Sequence, residues 1–296
     1  MQLIKAPFGK HIVCLDGVRG IAILLVMCAH LMPSQPIGFV PLEYVRKVFE
    51  AGWIGVDLFF VLSGFLITGI LLDSRGRAHA LRNFYARRSL RIFPLYFAVL
   101  IGGLLLLPAL GYTYEGQQAT ESNQLWLWTY TTNLFIVSEQ SYFFTADGLK
   151  LAHLWSLAVE EHFYLAWPLA VLYLPVRRLM GISLSIILGA LLIRCVIYLN
   201  GSAGLTNYVL TICRMDSLMF GSVLALGTRL PSATRKLRSI LAVGGAISGC
   251  LLALIMLTTK GWWIEHWTMQ TIGFSLLGIF FTACLYFLLH ARETHI

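Results

Sequence analysis

Apolar residues fall along this chain in long blocks. Eight of them reach the roughly 20 residues a helix needs to cross a bilayer: 13–32, 53–72, 92–110, 153–174, 180–199, 207–227, 239–258 and 271–290. A ninth, from Leu125 to Val137, is short and carries Thr129, Thr131, Thr132 and Asn133. Polar groups at membrane depth need protein or a watery cavity around them, so this segment is expected to be re-entrant or interfacial. The fold class is therefore all-α, a polytopic transmembrane helical bundle of about eight spans. Lys5 and Lys10 precede the first block, but Asp16 and Arg19 interrupt it and no small-residue cleavage site follows, which argues against a removable signal peptide. No repeat, low-complexity tract or long linker divides residues 1–296, so the chain reads as a single membrane domain.

Composition sharpens this picture. Apolar residues make up 58% of the 296 and charged ones 12%, against about 45–50% and about 25% in soluble domains. So little charge cannot cover a water-facing surface, which excludes a soluble enzyme and a disordered chain. The net charge of +8 reports membrane topology rather than a nucleic-acid partner. With the N-terminus in the cytoplasm, three of the 22 Lys and Arg (Arg19, Arg194 and Arg214) lie within spans. Four (Arg46, Lys47, Lys150 and Lys260) fall outside the cell, and the remaining fifteen, from Lys5 to Arg292, are cytoplasmic. That bias predicts both termini in the cytoplasm, and it requires that the Leu125–Val137 segment not cross. The six cysteines are scattered and include no C-x-x-C, so they read as small apolar residues without disulfides or metal.

The informative residues are the ionisable ones inside spans, each of which costs at least ~2.5–3.5 kcal/mol to place near the bilayer centre. Near span ends a long side chain can snorkel to the headgroups, a reading that covers Arg194 and extends to Arg214. In the first span, Arg19 and His30 are eleven residues apart, close to three helical turns, so they share one face about 16–17 Å apart along the axis. Asp16 lies one turn before Arg19 and is placed to anchor it. A lone membrane histidine is commonly a packing residue, but an Arg and a His on one stripe also suit an elongated anionic ligand. Arginine holds phosphates, and neutral imidazole takes a proton from a nucleophile.

Six arginines fall between Arg75 and Arg91. They set topology and meet anionic lipid; Arg87 and Arg91, one turn apart, can also grip one polyanion together. The span opening at His153 places Glu160 two turns further on the same face, with Ser156, Tyr164 and Trp167 on that stripe, while Glu161 points roughly 100° away. One carboxylate can then meet an Arg while the other faces a cavity, as an acid/base or hydroxyl-orienting surface; a buried structural ion pair is the alternative. In the second span, Asp57 sits near the outer end, where a hydrated or neutral state is cheap. Ser63 reads as helix packing or ligand contact, since no G-x-S-x-G surrounds it. His11 and Asp16 show an H-x-x-x-x-D spacing, but composition alone gives ~0.14 such pairs by chance.

Five stretches, in order, carry a resemblance. Asp16-Gly17-Val18-Arg19 leading to His30 resembles the R-x(10)-H opening of the acyltransferase-3 family of membrane O-acyltransferases. Gly55 to Phe65, Arg87-Arg88-Ser89-Leu90-Arg91, Trp155 to Tyr164, and Arg214-Met215-Asp216-Ser217 with Gly221 are similar to later motifs of that family. The resemblance implies a multi-pass enzyme of the bacterial inner membrane. Such an enzyme takes an acyl group, usually acetyl, from a cytoplasmic thioester such as acetyl-CoA, without a metal, and passes it to a hydroxyl of a cell-envelope glycan or similar acceptor. It implies His30, Glu160 and Arg19 as catalytic residues and Arg87, Arg88 and Arg91 as donor-binding residues; Ser63, read as a ligand contact, and Tyr85, within the basic run, are assigned to the donor site with them. Expected partners are acyl-CoA, a glycan and membrane lipids, with no nucleic acid. Family members often carry Gln where this chain has His162 and usually number about ten spans, so the chain is expected to lack the last of them. A polytopic transporter or flippase of a glycan or small anion would also use intramembrane charges and a basic mouth, but no inverted repeat is present.

Overall fold

The computed structural model describes residues 12–31, 40–114, 116–142, 151–230, 234–259 and 264–291, and all regular structure in them is helical. Expectations resting on Lys5, Lys10, His11, Lys150, Lys260 and Arg292 lie outside the described residues. In chain order the helices are α1 (Val13–Leu31), α2 (Val40–Glu50), α3 (Gly55–Ser74), α4 (Ala80–Leu100), α5 (Leu107–Ala109), α6 (Gln117–Asn123), α7 (Leu125–Trp128) and α8 (Thr132–Glu139). They continue with α9 (Trp155–Tyr173), α10 (Val176–Leu199), α11 (Leu205–Val209), α12 (Thr211–Gly227), α13 (Thr234–Thr259) and α14 (Phe274–Ala291).

Among the described residues, seven helical stretches are long and apolar enough to cross a membrane. They correspond to seven of the eight expected spans, and the eighth, α9, is kept out of that set by the polarity of Glu160, Glu161 and His162. The chain is a multi-pass membrane protein. The expected third span, 92–110, is only the second half of a continuous stretch running from Ala80 to Ala109, so the arginine-rich motif lies on that same helix, where Arg87 and Arg91 are one turn apart. Leu125–Val137 does not form a span. It breaks into α7 and α8, with Tyr130 in the left-handed region at φ 55°. Thr131 N–H bonds the Trp126 carbonyl at 2.9 Å and Tyr130 N–H bonds that of Leu127 at 3.2 Å. This is the bond pattern of a Schellman stop, with tyrosine where glycine is usual. The Thr129 hydroxyl also donates to the Leu125 carbonyl, 2.8 Å away. The polar residues that make this stretch short are those that terminate α7.

The core is built on α3 and α12, which are buried for most of their length, while α1, α4, α10 and α13 expose most of theirs. Phe60, Val61, Leu62, Phe65, Ile67 and Leu71 of α3 pack with Leu218, Leu224, Ala225 and Leu226 of α12. Glycines allow the approach: a Cβ on Gly64 would collide with the Leu218 carbonyl, and one on Gly221 with the Val61 carbonyl. The two helices therefore meet backbone to backbone, as small residues permit between membrane helices. Gly52 and Gly55 play the same part against Leu25 and Ala22 of α1. Gly221→Ala should destabilise the bundle by about 1–3 kcal/mol, the usual cost of overpacking. Thermal unfolding of the detergent-purified chain checks this, and an unchanged midpoint would contradict the close crossing.

Hydrogen bonds from two arginines tie the helix ends on the basic side together. Arg75, just past α3, reaches the Leu174 carbonyl at 2.8 Å and also that of Val171, satisfying carbonyls that the end of α9 leaves open. Arg229, just past α12, pairs with Asp73 at 2.7 Å. Burial, and for Arg75 also repulsion from Arg229, holds both guanidinium groups below the ordinary arginine value. Both remain cations, because arginine is never deprotonated in proteins. These two arginines are tied to helix ends.

Candidate active site

Basic residues of α1 and α4 act on one another. On α1, Arg19 bonds Asp16 at 3.1 Å, the anchor expected from their spacing. Arg88 and Arg91 of α4 and Glu160 of α9 all act electrostatically on Arg19. Arg88 packs its guanidinium over the Tyr164 ring at 5.0 Å and the Phe84 ring at 5.8 Å, a cation–π arrangement that fixes an otherwise flexible side chain. Arg87 and Arg91 are exposed, and among the described residues Arg87 makes no ion pair. Tyr85 donates its hydroxyl to the Leu165 carbonyl at 2.9 Å, which pins α4 to α9.

Glu160 lies at the centre of this group and is buried. Its Oε2 accepts the Tyr164 hydroxyl at 3.0 Å, and Ser63 of α3 acts on the same carboxylate, as do Arg88 and Arg19. Arg19, Arg88, Ser63 and Tyr164 thus act on Glu160 from four helices, and Arg91 acts on Arg19. Glu161, half-buried, turns toward the other side, where Tyr96 and Tyr130 lie. The two carboxylates thus face different neighbours, although Arg88 acts on both.

His30 stands at the other end of α1, exposed. Its Nδ1 is 2.8 Å from the Val26 carbonyl. A carbonyl only accepts, so Nδ1 carries the proton, and in the neutral ring the lone pair is on Nε2. Beside it, 6.2 Å between ring centroids and nearly edge-on at 77°, is His153, in the 3-10 turn Ala152–Leu154 before α9. Sequence reasoning put His153 on the Glu160 stripe but had no way to see that it meets His30. The signal was partial: His30 closes the first span and His153 opens the span at 153–174, and alternation of the spans puts both on the outer side. His162 instead bonds the Thr211 hydroxyl at 2.7 Å, which also accepts from Asn133 at 2.8 Å. That joins the α7–α8 segment to α9 and α12.

Three expectations are corrected. Asp57 is not at a hydrated edge; it is fully buried, with Arg214 Nη2 at 2.6 Å and the Ser217 hydroxyl at 2.8 Å on its Oδ1. Arg194 and Arg214 do not snorkel. Arg194, also fully buried, pairs with Asp216 at 2.8 Å and bonds Ser275 at 2.6 Å and the Thr271 carbonyl at 3.0 Å. Each arginine meets a carboxylate inside the bundle, so neither needs the headgroups. Among the described residues no group of three or more His, Cys, Asp or Glu is placed to hold a metal ion.

Fold and site together define a multi-pass membrane protein with acid–base side chains strung between a basic end and a histidine pair. The acyltransferase domain that defines the acyltransferase-3 family matches residues 12–293, and the chain belongs to that family. It is 30% identical over 262 residues to the peptidoglycan O-acetyltransferase OatA of Listeria monocytogenes, covering 84% of this chain and 39% of that protein. To the putative peptidoglycan O-acetyltransferase YrhL of Bacillus subtilis it is 31% identical over 275 residues, 86% of this chain and 40% of the relative. To the O-acetyltransferase OatA of Staphylococcus aureus strain NCTC 8325 it is 29% identical over 235 residues, 76% and 36%. The chain spans about two fifths of the length of these relatives. No solved structure matches it.

Proposed function

We propose that this chain is a membrane O-acetyltransferase that takes an acetyl group from cytoplasmic acetyl-CoA and transfers it to a hydroxyl of a cell-envelope glycan, with peptidoglycan the leading acceptor class. The observation that carries this reading is the arrangement along α1 and α9. Arg19 and Arg88 act on Glu160, with Arg91 acting on Arg19, and His30 with an available Nε2 stands at the far end, about 16–17 Å from Arg19 along the helix. The names of the relatives support the reaction and the acceptor; the positive-inside distribution supports an inner-membrane setting with both termini cytoplasmic.

In this mechanism Arg87, Arg88 and Arg91 hold the donor's phosphates at the cytoplasmic mouth, as charge-assisted hydrogen bonds from a planar fork. Ser63 and Tyr85 line the path from that mouth. The Nε2 lone pair of His30 does the chemistry, as base toward the acceptor hydroxyl or as transient acyl carrier. Glu160, set by Tyr164 and Ser63, holds Arg19 and Arg88 in place between the donor mouth and His30.

Incubating membranes that contain the chain with radiolabelled acetyl-CoA and soluble peptidoglycan fragments tests the reading. Label on the glycan is expected, and no labelled glycan together with no release of CoA would overturn it. Arg91→Ala should raise the donor KM by about tenfold, the equivalent of 1.4 kcal/mol, with kcat little changed. The difference should shrink at high salt, because Arg91 is exposed and exposed charges are screened. An unchanged donor KM would mean that this arginine meets lipid rather than CoA.

A further inference from the structure

His30 and His153 come from different elements, α1 and the turn before α9, yet their rings approach to 6.2 Å. Both are exposed, although Ala152, Leu154 and Trp155 around His153 are buried. The turn thus inserts its apolar residues into the core and presents the one imidazole at the surface that His30 also reaches. His30 Nδ1–H is committed to the Val26 carbonyl, so the ring has a single lone pair, on Nε2. One lone pair performs one task at a time: while bonded to an acyl group it cannot accept a proton. A base for an attacking hydroxyl must lie within hydrogen-bond reach of it, directly or through one water, and His153 is the imidazole beside His30.

Resting on the acetyl-transfer reading above, we propose that His153 is a further catalytic residue, the base that takes the acceptor's hydroxyl proton while His30 carries the acyl group. In the first half, His30 Nε2 attacks the thioester carbonyl carbon; an N–C bond forms, the C–S bond breaks, and CoA leaves as the thiolate. The proton stays on Nδ1 against the Val26 carbonyl, so the acyl-imidazole is cationic and gives up its acyl group readily. In the second half, the acceptor oxygen bonds the acyl carbon, the N–C electron pair returns to Nε2, and the hydroxyl proton passes to a ring nitrogen of His153. His153 then loses that proton to solvent, the thiolate gains one, and the sum is thioester plus alcohol giving ester plus thiol.

The test uses the full chain in membranes with acetyl-CoA carrying a labelled acetyl group. His153→Gln is expected to release one equivalent of CoA and to retain protein-bound label, while transfer to soluble peptidoglycan fragments falls about 10²–10⁴-fold, the usual worth of a positioned acid–base group. In His153→Ala, added free imidazole should restore part of the transfer, a readout that a merely structural role would not move. His30→Ala should release no CoA and take no label. Transfer by His153→Gln at the wild-type rate would overturn the proposal while leaving the acetyltransferase reading intact. So would loss of the CoA burst in an inserted His153→Gln chain. Failure of the wild-type chain to release any CoA would overturn both together.

Discussion

His30→Ala is expected to abolish acetyl transfer while leaving the protein inserted and folded. The two halves of that expectation rest on different observations. The His30 ring is exposed, and its one bond runs to the Val26 carbonyl of its own helix at 2.8 Å. A hydrogen bond of this kind contributes about 0.5–1.5 kcal/mol net, and water or lipid headgroups at the end of α1 can replace it. Removing the ring should therefore cost little stability. The reaction, by contrast, loses the lone pair that carries the acyl group, and acid–base or nucleophilic groups contribute about 10²–10⁴-fold to rate. The measurement pairs transfer of labelled acetyl with size-exclusion of the purified chain. A variant that elutes as the wild type and still acetylates normally would remove His30 from the chemistry.

How far this site was legible in the sequence depends on the distance over which each relation acts. Asp16, Arg19 and His30 sit on one helix, and helical periodicity alone places them; the Asp16–Arg19 pair follows from a spacing of three. The same holds for Glu160 and Tyr164, four apart and hydrogen-bonded. The Thr-rich stretch between Thr129 and Thr132 announces the break between α7 and α8, because hydroxyls so placed compete for helix carbonyls. What periodicity cannot supply is which helix lies against which. Asp57 and Arg214 are 157 residues apart, and a hydropathy pattern records only that each is a charge in an apolar block. Treated singly, each is best explained by escape to the membrane edge. Treated as a pair, neither needs to escape. His153 was missed as a partner of His30 for the same reason: its own helix relates it to Glu160, and only the tertiary packing, in which α1 and α9 both lie against α3, relates it to His30. The glycines at 64 and 221 carried a usable hint, since small residues permit close crossing, but not the identity of the helix that crosses.

The buried pair between α3 and α12 should dominate stability when only one member is removed. Asp57 and Arg214 are both fully buried, and the Arg214 guanidinium is covered by the rings of Phe274 at 4.0 Å, Tyr208 at 5.5 Å and Phe60 at 6.0 Å. Those aromatic faces attract the cation, but they cannot replace a carboxylate that accepts its hydrogen bond. Asp57→Leu leaves an unpaired guanidinium in an apolar cage, and breaking a buried pair in this way costs about 3–5 kcal/mol. Arg214→Met strands the carboxylate instead, with only the Ser217 hydroxyl on it, and should cost a similar amount. The double variant, Asp57→Leu with Arg214→Met, removes both charges and keeps most of the volume, and replacing a whole buried pair with apolar groups is often neutral. It should therefore unfold close to the wild-type midpoint although each single variant unfolds well below it. Thermal unfolding of the four detergent-purified proteins makes the comparison. If the two single losses add in the double variant, the residues stabilise the crossing independently and the ion pair does not hold α3 to α12. If the double variant regains stability and also transfers acetyl normally, the pair is structural, and the chemistry belongs to the line from Arg19 to His30.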